Sequence, residues 1–344
     1  MSPARTTTGP GDAVDPVLVV GGTGFIGSAI VRELLGSARA SAAPRLRVLA
    51  SRRPPAAAVP DGVEFTTADL TDPASLRGAC AGVTTLVHTA SYVGRDAARC
   101  DAVNHTGTLA LLDEARRAGV RRVLYISTAS VYGSGPHRGA AEGELTPGPQ
   151  SAASASRLAA EAAVLDAGGV VLRPHLVSGV GDRWVVPTLA RLLRRVPDWP
   201  TLRPAHSSMI AVDDLARLVG ALVRQGQDGD GDGDEAAGQD GGGQVYHAAH
   251  PRPVCMRSLV FALGRLLGLP PPRGALSLQD HRELVTRSVP ELSDHQYALL
   301  TQDHWYDSSR IWDRTRLEPG PGPIGRFAEC AGWYERELRV PVAG

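Results

Sequence analysis

The sequence contains no lysine: all 36 basic residues are arginine, balanced by 36 acidic residues for a net charge of zero. A neutral chain gives no electrostatic case for nucleic acid or an anionic membrane as partner. Cysteine is scarce, and Cys80, Cys100, Cys255 and Cys330 are scattered without C-x-x-C or metal-ligand spacing. They read as reduced thiols of a cytoplasmic protein, which excludes a disulfide framework and a metal site built on them. No stretch approaches the ~18 consecutive apolar residues of a membrane span. Residues 1–15 are rich in Thr, Gly, Pro and Ala and have no apolar core, so they read as a disordered tail and not as a signal peptide.

What is present is a chain of 344 residues, 43% hydrophobic, enough for a large core. Its most informative stretch is Val17–Leu35. The apolar run Val17–Val20 suits a strand buried on both faces of a parallel sheet. It enters a glycine cluster in which Gly21, Gly24 and Gly27 stand at G-x-x-G-x-x-G spacing, and a helical pattern leaves it. Such glycines serve a tight turn, close backbone approach to a pyrophosphate, and close packing of helix on strand. The helix N-terminus adds free N–H groups and the positive end of the helix dipole. The strand–turn–helix context predicts a dinucleotide site.

Strands and helices alternate over residues 17–174, which predicts an α/β fold, a doubly wound parallel sheet of the Rossmann type. Strand two, Leu46–Ala50, ends in Ser51, Arg52 and Arg53. An acid at this strand end suits the ribose of NAD and an arginine the 2′-phosphate of NADP, so the pair favours NADPH/NADP. After strand three, Asp69 and Leu70 follow; Asp69 either meets the adenine or caps a helix beginning near Pro73. His88 reads as a packed strand-end residue, followed by Thr89, Ala90 and Ser91. Helices are expected over 104–118 and 153–166, and strands over 122–127, 170–172 and 244–248. The first of these strands runs into the hydroxyl-rich turn Thr128–Gly133, at the sheet edge where such folds bind ligands. Residues 16–175 form the cofactor-binding domain, with 208–225 and 244–250 returning to it. Residues 176–207 and 251–344, including helices at 256–266 and 276–285, form a smaller C-terminal substrate lobe. Residues 226–243 read as a flexible Gly/Asp-rich loop; they lack the glutamate of a calcium loop.

These motifs resemble the short-chain dehydrogenase/reductase superfamily in its extended form, typified by nucleotide-sugar epimerases and dehydratases. The likeness rests on Gly21-Gly22-Thr23-Gly24-Phe25-Ile26-Gly27, Asp69-Leu70, Asn104-His105-Thr106-Gly107-Thr108, Ser127–Gly133, Leu172-Arg173-Pro174, Val212-Asp213-Asp214-Leu215-Ala216 and Trp333-Tyr334, and runs to about Glu337. It implies a cofactor set of Gly21, Thr23, Gly24, Phe25, Ile26, Gly27, Ser51, Arg52, Arg53, Asp69, Leu70, Thr89, Ala90, Ser91, Arg157, Pro174 and His175. It also implies no metal, and it leaves a homodimer open.

The family's catalysts are a Ser/Thr, matched by Thr128, and a Tyr-x-x-x-Lys pair sharing one helix face. In this sequence Ala153 stands at the tyrosine position and Arg157 at the lysine position. Avoidance of lysine accounts for Arg157; nothing of the kind accounts for Ala153, since the chain has 7 tyrosines. An alanine methyl cannot shuttle a proton. Thr128 and Ser130 can orient a substrate and stabilise an oxyanion, and Tyr92 and His175 are other candidate donors. A substrate with a phenol or enol beside its ketone could supply the proton itself, and ordered water is the other source. In this respect the chain resembles atypical ketoreductases of aromatic polyketides that lack both residues. The expectation is an NADPH-dependent ketoreductase of a small-molecule polyphenolic polyketide. The alternatives are a catalytically silent NADP-binding protein and a nucleotide-sugar epimerase or dehydratase.

Overall fold

The computed structural model describes residues 16–37, 45–52, 60–200, 204–225, 243–269 and 272–339. The expected tail 1–15, Arg53 and the Gly/Asp-rich stretch 226–242 lie outside the described residues. The elements in chain order begin with β1 (Val17–Val20), α1 (Phe25–Ser37), β2 (Leu46–Ala50), β3 (Val63–Thr67), β4 (Thr85–His88), α2 (Ala97–Cys100), α3 (Gly107–Arg117), β5 (Arg122–Ile126), β6 (His137–Ala140), α4 (Ala152–Asp166) and β7 (Val170–Arg173). They continue with β8 (Leu176–Ser178), α5 (Val185–Arg195), β9 (Asp198–Pro200), β10 (His206–Ser207), β11 (Met209–Ala211), α6 (Val212–Gln225), β12 (Gln244–His247) and β13 (Val254–Cys255). The last are α7 (Met256–Leu266), β14 (Arg273–Leu276), α8 (Leu278–Ser288), α9 (Asp294–Thr301), β15 (His304–Tyr306), α10 (Ser309–Thr315) and α11 (Phe327–Arg339).

Seven strands form one sheet in the order β12-β7-β5-β4-β1-β2-β3, every pair parallel. The period of two explains why β1 is apolar throughout. Val17 and Val19 face a core shared with α1, α6 and α10, while Leu18 and Val20 face the opposite core with Leu76, Leu86 and Leu111. Both faces are thus covered, as a parallel sheet requires. The doubly wound α/β fold read from the sequence is the observed one.

A second core, made by α5, α7, α8, α9 and α11, holds Leu189, Leu259, Leu263, Val285, Tyr297 and Tyr334. A small sheet, β13-β10-β15-β6, lies beside the carboxyl ends of β5 and β7. The segment of α10, assigned to the lobe from sequence, packs Ile311 and Trp312 into the core of α1 and α6. No helix among the described residues is long and apolar enough to cross a membrane.

Three local expectations need correction. No helix forms near Pro73: residues 70–82 make successive turns, with Gly78 and Gly82 at positive φ. Asp69 accepts from the Thr71 N–H at 2.9 Å and the Thr71 hydroxyl at 2.8 Å, closing a turn in place of a helix cap. The helix expected from Asn104 is instead the end of a longer helical stretch. A six-residue π-helical segment, Asp101–Thr106, joins α2 to α3. The C-terminal helix expected from Leu276 starts two residues later, because Ser277 caps it through the Asp280 N–H at 3.1 Å and Leu276 belongs to β14.

Candidate active site

The carboxyl ends of β1, β2, β4 and β5 border a cleft of about 850 Å³. It brings together Gly21, Thr23, Gly24, Phe25, Ile26, Gly27, Ser51, Asp69, Leu70, Thr89, Ala90, Ser91 and Arg157. The glycine turn is tight: Gly21 has φ +79° and its carbonyl accepts from the Gly24 N–H at 2.9 Å. A Cβ at Gly21 would lie 2.7 Å from the Ala90 nitrogen. This cradle admits backbone and nothing larger, and α1 starts from it, with the free N–H groups of its first turn there. Residues that sequence reasoning did not assign to the cofactor, Tyr92, Arg99, Arg183 and Trp184, also line the cleft. Trp184 is 63% exposed, and no motif marked it.

Arg52 is exposed at the end of β2 and does not line the cleft. Pro174 and His175 follow β7: Pro174 accepts from the Ala129 N–H at 2.8 Å, and the His175 ring stacks on His304. Asp69 has its carboxyl held below the usual range by the Thr71 main-chain and side-chain hydrogen bonds.

Thr128 caps a short helical turn, Ala129–Tyr132, by accepting from the Ser130 N–H at 3.1 Å. Its own hydroxyl proton is committed to nothing among the described residues. Helix α4 begins with a reciprocal box in which Ser151 and Ser154 bond each other's N–H groups, at 3.1 and 3.2 Å. This fixes Ala153 in the first turn and Arg157 one turn on. The Arg157 Nη2 donates to the Ile126 and Ser127 carbonyls at 2.9 and 2.5 Å, at the end of β5. Its Nε and the Ser127 hydroxyl are buried, with no hydrogen-bond partner within normal geometry among the described residues. A guanidinium pinned at the cleft by two main-chain carbonyls, together with the glycine cradle, fits a nicotinamide dinucleotide.

Asn104 connects the cleft to α4. Its Oδ1 accepts from the Tyr92 N–H at 2.7 Å, and its Nδ2 donates to the Tyr92 carbonyl at 2.8 Å and the Ser156 hydroxyl at 3.0 Å. The π-helical turn sets Asn104 at this junction. His88 is fully packed, with Nε2 3.0 Å from the Thr108 hydroxyl. Among the described residues no group of three or more His, Cys, Asp or Glu could hold a metal ion.

Burial keeps several imidazoles neutral. His88 and His175 are pushed down to about 3 and His304 to about 4, against ~6.5 in an unfolded chain. As pH falls, the unfolded chain takes up these protons first. Their contribution to stability is complete above about pH 6.5 and is lost as pH falls toward 4 and then 3. Each site is expected to remove about 1.4 kcal/mol per pH unit inside that window. Urea midpoints at pH 7, 6 and 5 should fall stepwise; equal midpoints would show that these rings are not held neutral.

Comparison with known proteins places the site in context. The profile of the "NAD dependent epimerase/dehydratase family" matches residues 17–234. The chain is 29% identical over 322 residues to a 2-alkyl-3-oxoalkanoate reductase of Stenotrophomonas maltophilia, covering 84% of this chain and 90% of that protein. It is 42% identical over 124 residues to sterol demethylase protein B of Methylococcus capsulatus, but that match spans only 36% of the relative and 35% of this chain. Among solved structures, the Bordetella bronchiseptica enzyme WbmH, crystallised with NAD+, superposes with a TM-score of 0.70. That match is 21% identical and covers 95% of this chain and all of the other.

Proposed function

Because the chain belongs to the NAD dependent epimerase/dehydratase family, we propose that it is an NADPH-dependent ketoreductase working without the family's Tyr–Lys pair. Its substrate is a hydrophobic ketone carrying its own acidic hydroxyl next to the carbonyl, as a polyphenolic aromatic polyketide does. The observation that carries this reading is a cofactor cradle kept intact beside a helix with Ala153 where the proton donor belongs.

A bound nicotinamide supplies the hydride and needs little beyond alignment. Arg157, anchored on the Ile126 and Ser127 carbonyls, holds the ribose end of that group. Thr128 offers its uncommitted hydroxyl to the developing alkoxide. The proton comes from the substrate's neighbouring hydroxyl or from water. The likeness to a 2-alkyl-3-oxoalkanoate reductase supports the reductase class. An epimerase or dehydratase would lean hardest on the missing tyrosine.

The test is to incubate the protein and NADPH separately with 1,8-dihydroxyanthraquinone and with a 2-alkyl-3-oxoalkanoate, following NADPH absorbance and product mass. A reduced product is expected. Tight NADPH binding with no turnover of either would sink the reading in favour of a silent cofactor-binding protein. The NADP preference rests on Arg52 and on the lack of an acid at 51–53. Arg52→Asp is expected to weaken NADPH binding about 10-fold, ~1.4 kcal/mol, with NADH binding unchanged or tighter. Equal loss for both cofactors would remove Arg52 from the 2′-phosphate site.

A further inference from the structure

Asp182 and Tyr334 are a buried carboxylate and a buried phenol that no step above uses, 1% and 0% exposed. Together they hold the turn that joins β8 to α5. The Tyr334 hydroxyl, from α11, accepts from the Gly179 N–H at 2.8 Å and donates to Asp182 Oδ2 at 3.1 Å. Asp182 then caps α5 with both oxygens. Its Oδ1 accepts from the Trp184 and Val185 N–H groups at 2.8 and 2.9 Å, and its Oδ2 from the Val186 N–H at 2.9 Å. Gly179 and Gly181 have φ +135° and +99°, which lets the chain wrap this tightly around one carboxylate. Burial pushes the Tyr334 phenol above its ordinary range, so it stays a donor.

This turn reaches the cofactor cleft. A Cβ on Gly181 would lie 3.0 Å from Cδ2 of Phe25, the first residue of α1. Two residues after Gly181, Arg183 lines the same cleft as the glycine turn, and Trp184 follows it there. The pyrophosphate of a dinucleotide rests where such a helix begins, so Arg183 stands beside that position. The charged side chains lining the cleft are Arg99, Arg157, Arg183 and one acid, Asp69. Arg157 is pinned on two carbonyls, and the Arg99 guanidinium lies over the Tyr92 ring, 4.7 Å from its centroid. The exposed Arg183 guanidinium has no ion-pair or hydrogen-bond partner among the described residues. A cation with no acid of its own, on a turn braced by a buried carboxylate, is arranged for an anion.

Resting on the nicotinamide-dinucleotide reading above, we propose that Arg183 binds the cofactor's pyrophosphate from the wall of the cleft formed by the β8–α5 turn, and that Asp182 and Tyr334 position it. The glycine turn offers main-chain N–H groups and the positive end of a helix dipole. Arg183 adds a full charge and a planar fork of donors that matches phosphate oxygens. The pyrophosphate then bridges the start of α1 and the turn before α5. Asp182 and Tyr334 do not line the cleft and act only through the turn. NADPH and NADH share the pyrophosphate, so Arg183 sets affinity for both and leaves the choice between them to other groups.

Calorimetric titration of NADPH, NADH and ADP-ribose decides; ADP-ribose keeps the pyrophosphate and lacks the nicotinamide. Arg183 is exposed, so Arg183→Gln should keep the melting temperature of the parent. It should weaken all three ligands by about 10-fold. Unchanged affinities overturn the proposal, and so does a loss confined to NADPH, which would put Arg183 at the 2′-phosphate. Tyr334→Phe removes the hydroxyl that ties Gly179 to Asp182. It should lower the melting temperature and weaken NADPH about 3-fold. Placed on top of Arg183→Gln, it should lower the melting temperature as much and weaken NADPH no further, because the two residues act on one contact. An equal affinity loss in both backgrounds overturns the positioning role. A wild type that binds NADPH no better than Arg183→Gln does overturns this proposal alone. A wild type that binds neither NADPH nor NADH overturns the dinucleotide reading beneath it.

Discussion

Replacing Arg173 with methionine is expected to cost about 3–5 kcal/mol of stability, because it leaves a buried carboxylate without its partner. Arg173 ends β7 and Glu161 lies in α4; they are 8% and 1% exposed. The guanidinium holds both carboxylate oxygens, with Nε at 3.1 and 3.2 Å and Nη2 at 2.5 Å. Its Nη1 donates to the Tyr132 hydroxyl, which must then donate onward to His247 Nε2, while His247 Nδ1 donates to the Asp307 carbonyl at 2.9 Å. One cation therefore ties together the helix that carries Ala153 and Arg157, the strand that leads to His175, and the turn after Thr128. Urea denaturation gives the test. The double variant Glu161→Met with Arg173→Met should recover most of the loss, since a well-packed apolar pair avoids desolvating two ions. A double variant as unstable as the single one would mean that the tie to Tyr132, and not the orphaned carboxylate, sets the cost.

The parts of this molecule that were legible in sequence are those fixed by local constraint. The glycine turn is forced by backbone contacts, so Gly21, Gly24 and Gly27 announce the cofactor cleft at once. Likewise the apolar runs of β1, β4 and β7 announce strands covered on both faces. Ala153 is informative because its spacing to Arg157 is a helix repeat. The ring group around His175 had no such signal. His137, His175, His295 and His304 belong to separate elements, and only the parallel pairing of β15 with β6 brings His137 and His304 to one edge. That pairing leaves no periodic trace in the chain. The absent helix at Pro73 failed for the opposite reason: Asp69 and Asp72 each bond the chain two residues on, to Thr71 and Ala74, and these local turns outcompete the helix.

The second large effect concerns Gly27, the third residue of α1. A Cβ there would lie 2.2 Å from the Gly21 carbonyl oxygen and 2.8 Å from both the Gly21 carbonyl carbon and the Thr89 hydroxyl. Two of these atoms are backbone in the turn itself, so the helix must lift away from β1. Gly27→Ala should therefore break the cradle and weaken NADPH binding by at least about 100-fold, ~3 kcal/mol. Helix propensity acts in the other direction, since alanine is up to about 1 kcal/mol better than glycine inside a helix. Gly36 in the same helix isolates that term: a Cβ added there meets nothing within 4 Å. Gly36→Ala is expected to leave NADPH affinity unchanged and to stabilise slightly. Titration of NADPH fluorescence on both variants separates the two effects. If Gly27→Ala binds NADPH as the parent does, the close approach of helix to turn is not what builds the cofactor site, and the phosphates must be held elsewhere along the cleft.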